Sequence, residues 1–198
     1  MTRAKFEQIL GEKCSPVLMG VKPANLVSFS RLGSEPLLSS LVREYAEKLL
    51  NTGIRMDMFC GCRGNYLLLV YTTKMLADCL GTEEACRILT DDGYPSDASL
   101  AQMLDILKGR FHQGGEFPHE IGLFLGYPPE DVEGFRRYKG AGCKFCGYWK
   151  VYGDVDKARR LFASYDRCKS YMSGQFRQGR SLMQALDLGN KEELRKCS

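Results

Sequence analysis

The residue pattern predicts an α+β fold, a single domain of about four largely antiparallel strands flanked by many helices. Three observations carry this. Two β-rich segments, Ile54 to Cys60 and Tyr66 to Tyr71, adjoin across the short loop Gly61-Cys62-Arg63-Gly64-Asn65. The segments on either side of that pair space their apolar residues at helical intervals. Finally, no repeat, low-complexity tract or linker divides the 198 residues, a length that suits one domain with a sizeable core.

In chain order, Arg3 to Leu10 has helical spacing, and Gly11 suits its end. Lys13-Cys14-Ser15-Pro16 then reads as a loop. Asn25 to Ser30 reads as a strand, in keeping with the extended bias around Pro23. Leu37, Leu38, Leu41, Val42, Tyr45 and Leu49 mark the buried face of an amphipathic helix opened by Ser34 and Pro36 and closed by Gly53. In the first hairpin strand Ile54, Met56, Met58 and Cys60 alternate with Arg55, Asp57 and Phe59, as on a half-buried strand. Tyr66 to Tyr71 is nearly all apolar, as in a central strand covered on both faces. Thr73 and Thr82 are placed to cap two short helices. Tyr94-Pro95 interrupts, and Ser96 caps a helix with Leu100, Met103, Leu104, Leu107 and Phe111 along one side.

From Phe117 to Asp154 the chain is densest in chemically able residues. It holds one of two histidines, the only tryptophan, a Cys-x-x-Cys pair and two successive prolines. Pro118 suits a helix start, with Phe117, Ile121, Phe124 and Leu125 on one face. His119, Gly122 and Gly126 fall on another, where bare backbone permits a strand or a ligand to approach closely. Gly126 suits the helix end and Pro128 forbids continuation. Pro129, Glu130 and Asp131 open a second helix, with Val132 and Phe135 apolar. Tyr148 to Tyr152 reads as a strand ended by Gly153. Asp154 caps a helix from Val155 to about Met172. Gly174 and Gly179 loosen the chain, Ser181 to Leu188 is a last short helix, and the tail from Asn190 is polar.

The runs FPHEIGLFLGYPPEDVEGF and CGYWKVYGD, with the earlier CSPVLMGVKPANLVSF, are similar to a bacterial family known only as domain of unknown function 3793. The resemblance spans nearly the whole chain. That family occurs mainly in anaerobic Gram-positive bacteria, so the resemblance implies a reducing cytoplasm. It implies no activity.

Composition narrows the classes. A net charge of +4, with 28 basic residues interspersed among 24 acidic ones, argues against nucleic acid as the main partner. The run Arg136, Arg137 and Lys139 reads as a solvated helix face. No apolar stretch approaches the roughly 20 residues that span a bilayer. The segment MTRAKFEQIL lacks a signal-peptide core, so a cytoplasmic protein is expected. Nine cysteines in such a chain are then reduced thiols, metal ligands or redox groups. For Cys79, Cys86, Cys168 and Cys197 a buried or idle thiol is the default.

Three sets of residues carry candidate chemistry. Cys14 sits in its loop with Pro16, Gly20 and Pro23 fixing the backbone. It is a nucleophile or ligand if Lys22 or His119 lowers its pKa. His119 follows it in the order found in papain-like enzymes, with Asp131 or Glu120 available to orient the imidazole. Its flanks match no peptidase signature, and capping a helix start explains it equally well. The pairs Cys60-x-Cys62 and Cys143-x-x-Cys146 offer four thiolates for zinc or iron, although Cys-x-Cys is an uncommon chelate. Trp149, Tyr148 and Tyr152 read as packing residues, and no phosphate loop or dinucleotide fingerprint is present. Three functions remain open. The first is a binding protein, redox-linked or not, that holds a transition metal or a small thiol-reactive ligand through Cys14, Lys22, His119, Glu120 or the paired cysteines. The second is a hydrolase or acyltransferase with Cys14 as nucleophile and His119 as base. The third is an interaction module without a chemical site.

Overall fold

The computed structural model describes residues 1–30, 35–60, 65–112 and 117–189. Helix α1 (Arg3–Leu18) leads into strand β1 (Ala24–Ser30), then α2 (Glu35–Leu49) and a 3-10 turn closed by Gly53. The antiparallel pair β2 (Ile54–Cys60) and β3 (Asn65–Thr72) follows. Helices α3 (Thr73–Leu80), α4 (Glu83–Asp91), α5 (Leu100–His112), α6 (Ile121–Phe124) and α7 (Pro129–Tyr138) come next. A small hairpin of β4 (Phe145–Cys146) and β5 (Lys150–Val151) precedes α8 (Val155–Arg177) and α9 (Leu182–Gly189). The architecture is α+β, as the pattern predicts.

The main sheet runs β1-β3-β2, all antiparallel, with β3 central. Side chains alternate across it with period two. Val27, Phe29, Ile54, Met56, Leu68 and Val70 face one core, completed by α1, α2, α8 and α9. Ala24, Phe59, Leu69 and Tyr71 face the other, completed by α3 to α7. Burial on both faces is why Tyr66 to Tyr71 reads as a continuous apolar run. The β2–β3 loop, Gly61 to Gly64, lies outside the described residues.

Local rules place most boundaries. Thr82 accepts a hydrogen bond from the Ala85 N–H at 3.3 Å, and Asp154 one from Lys157 at 2.9 Å. At α3 the cap is Thr72 rather than Thr73, and no side-chain bond is made there. Before α5 it is Ser99, not Ser96, whose Oγ accepts from Gln102. The expected strand at Tyr148–Tyr152 is the second half of a hairpin that begins inside the Cys-x-x-Cys motif. Helix α8 runs past Met172 and through Gly174.

The main correction concerns the N-terminus. Helix α1 does not stop at Gly11 but continues through Cys14 and Pro16 to Leu18. Gly11 is needed for close approach: a Cβ there would lie 2.2 Å from the Phe176 ring and 2.7 Å from Met172, both on α8. Pro16 is tolerated near the C-terminal end, where its carbonyl accepts from the N–H groups of Val21 and Lys22. Among the described residues, no helix is long and apolar enough to cross a membrane.

Candidate functional site

Asp131 organises the region around α7. It occupies the first turn of that helix, where a carboxylate is favoured by the exposed N–H dipoles. Its Oδ2 accepts from Trp149 Nε1 at 2.7 Å, and its Oδ1 accepts from the backbone N–H groups of Tyr152 and Gly153 at 2.6 and 2.8 Å. The side chain is buried and pins the β4–β5 hairpin to α7. Trp149 then stacks on Tyr127 at 4.7 Å between ring centroids and meets the Phe162 ring edge-on at 4.4 Å. Trp149, Val151, Ala158, Phe162 and Tyr165 form a small core under the hairpin.

Between this hairpin, α6 and α7 lies a cleft of about 400 Å³. Its walls are mostly apolar and aromatic: Leu26, Ile121, Leu125, Tyr127, Val132, Phe135 and Trp149. His119, Cys146 and Lys150 line it as well. The His119 ring meets Phe135 edge-on at 5.2 Å. Gly122 and Gly126, read as a bare surface open to a strand or a ligand, are approached by side chains of this chain. Pro23 abuts Gly126, whose φ is +74°, while Val132 and Tyr127 abut Gly122.

The expected N-terminal site is built differently. Cys14 is not in a loop; it faces the sheet from α1 and is fully buried. Burial pushes its thiol up to about 12, against the smaller opposing effects of Lys22 and an Asn25 hydrogen bond. Lys22 is thus brought close to Cys14 as expected, but desolvation outweighs the cation, and no thiolate results at neutral pH. Lys22 is itself buried, and desolvation lowers its amine to about 8. Its Nζ donates to Asn25 Oδ1 at 2.7 Å and lies 5.4 Å and 5.7 Å from the Tyr127 and Tyr165 ring centroids. Asn25 in turn donates to the Lys13 carbonyl at 2.7 Å.

His119 is not among the groups acting on the Cys14 thiol. Neither expected orienting carboxylate is spare for it. Asp131 is committed to the hairpin, and Glu120 is buried against Arg110 and the Tyr94 hydroxyl. Cys143 is half-buried and precedes the short strand β4, and Cys146 is exposed and ends it. Cys62 and the side chain of Cys60 lie outside the described residues, so the four-thiolate arrangement rests on two described members. Among the described residues, no group of three or more His, Cys, Asp or Glu side chains is placed to hold a metal ion.

Sequence reasoning singles out His119 and Cys146 but does not place them in one cleft, and it gives Tyr127, Phe135 and Lys150 no part in a site. The run Tyr127-Pro128-Pro129 was the available signal: it sets an aromatic ring at a rigid corner before a helix start. Burial fixes the order of thiol reactivity. At about pH 7.5, iodoacetamide should label Cys146 well before Cys14, whose thiol is shielded from reagent and held protonated by burial. Peptide mass mapping over time reads this, and early labelling of Cys14 in the folded protein would contradict the burial argument.

Residues 10–186 match the model of a family described as a protein of unknown function, DUF3793. No curated protein and no solved structure matches the chain.

Proposed function

Since the chain belongs to the DUF3793 family, whose description assigns no activity, its chemistry has to be read from its own site, and we propose that it binds one small, mainly apolar ligand in the Trp149 cleft. The observation that carries this is the cleft: about 400 Å³, walled by Tyr127, Phe135 and Trp149, with His119, Cys146 and Lys150 also lining it. That size and lining suit a small organic ligand. Cys146 is the exposed thiol at its wall, so thiol-reactive ligands belong to the class it accommodates.

The reading of Cys14 as a nucleophile has less support, because a buried thiol titrating near 12 has no thiolate to offer. A bound transition metal, zinc or iron, would take Cys143 and Cys146 as two ligands and requires others from Cys60 and Cys62. Elemental analysis of protein purified without oxygen tests that reading separately.

The cleft reading is tested with Trp149, the only tryptophan in the chain. Titration with small phenylalkyl probes should shift its emission in a saturable way and slow iodoacetamide labelling of Cys146. Unchanged emission together with unprotected Cys146 at millimolar probe would remove the proposal.

A further inference from the structure

We infer that the cleft selects an apolar molecule bearing a single carboxylate, with Lys150 as its counter-ion; this rests on the cleft reading above. Two charged side chains, Asp131 and Lys150, line the cleft. They are not equivalent. Both oxygens of Asp131 are occupied, Oδ2 by the indole N–H and Oδ1 by two backbone N–H groups, so its charge is spent on the hairpin. The hydroxyl of Tyr148, also at the wall, donates to Asp166 at 2.7 Å. Lys150 is different. It is half-buried, its stem packs against Gly140, and among the described residues no carboxylate pairs with it. His119 adds an imidazole to the same wall.

The consequence follows from desolvation. An apolar ligand that fills the cleft strips water from the Lys150 ammonium. With a neutral ligand that loss is uncompensated; with an anion it is recovered as a charge-assisted hydrogen bond. One ammonium in a largely apolar wall balances one negative charge, so a carboxylate fits better than a phosphate dianion, which needs more donors. The discrimination between an acid and its neutral isostere should be about ten- to a hundredfold in Kd, the range for hydrogen bonds to charged groups.

The test compares phenylbutyrate with phenylbutyramide by Trp149 emission and calorimetry, on the wild type, Lys150→Met and Lys150→Arg. Tighter binding of the acid by at least tenfold is expected. The ratio should fall to near one in Lys150→Met, persist in Lys150→Arg and weaken with added salt. Equal binding of acid and amide to the wild type, or an acid preference that survives Lys150→Met, overturns the carboxylate inference while leaving the cleft reading intact. Failure of both probes to bind or to protect Cys146 removes the cleft reading and this inference together. Should Lys150→Met not fold, the wild-type ratio and its salt dependence decide the matter.

Discussion

Asp131→Ala should destabilise the protein by about 3–5 kcal/mol, because it leaves three donors, the indole N–H buried and two backbone N–H groups part-buried, without their acceptor. The indole N–H of Trp149 and the backbone N–H groups of Tyr152 and Gly153 all converge on this one carboxylate. Stranding a single buried donor costs about 1–3 kcal/mol. Three that share one acceptor are not additive, so the total lies at the lower end of the sum. Asp131→Asn should cost less, since its amide oxygen still accepts, but the amide N–H groups then face a donor. Urea unfolding measures both, and Trp149 emission in native buffer should move to the red in Asp131→Ala as the hairpin lifts from α7. A near-neutral Asp131→Ala would mean that the hairpin is held by the Trp149, Phe162 and Tyr165 packing alone. The sequence offers Asp131, or Glu120, to orient His119. The two roles separate experimentally: an orienting carboxylate changes imidazole behaviour at constant stability, whereas a hairpin anchor changes stability first.

What could be read from the sequence depended on how local the cause was. Thr82 and Asp154 cap their helices with bonds made three residues on, so the signal and the structure occupy the same short window. The alternation in β2 and the apolar run of β3 were legible because a sheet covered on both faces writes its burial directly into period two. The length of α1 was not legible. Gly11 and Pro16 are local stop signals, and only the Phe176 ring, arriving on α8 from the far end of the chain, shows why a glycine sits mid-helix. Cys14 was misplaced for the same reason, since a residue assigned to a loop acquires an exposure that the continued helix denies it.

The candidate site divides in the same way. His119 and Trp149 stand out in the sequence as rare residue types, and Cys146 through its Cys-x-x-Cys pair. That they share a cleft depends on Asp131 drawing the hairpin onto α7 and on Tyr127 stacking against the indole, both of them tertiary events. Cys-x-x-Cys spacing suggests a chelate whatever surrounds it. In the fold only the second half of the motif, Phe145–Cys146, is strand, and one of its thiols, that of Cys146, belongs to the cleft wall.

Lys22 carries the second large expectation. An ammonium buried between Tyr127 and Tyr165, hydrogen-bonded to a neutral Asn25, has given up its hydration for weak partners. Cation–π contacts return about 0.5–2 kcal/mol, less than desolvation takes. Lys22→Met should therefore stabilise the protein at pH 7 by about 1–3 kcal/mol, since methionine fills the same channel without a charge. The pH profile gives an independent check. The folded amine titrates near 8 against an ordinary 10.5, so between those values the unfolded chain holds more protons and stability rises with pH; below about 8 both forms are charged and the full penalty stands. Cys14 works the other way. Its folded thiol keeps the proton until about 12, while the unfolded one releases it near 9.0, so stability declines above 9.0. The wild type should thus gain stability from pH 8 to 9, level off to about 10.5 as the two effects oppose each other, and then lose it. In Lys22→Met the early rise should vanish and the decline above pH 9 should remain. Urea midpoints at half-unit pH steps measure this, and a Lys22→Met protein less stable than wild type with the early rise intact would show that the aromatic cage more than repays the buried charge.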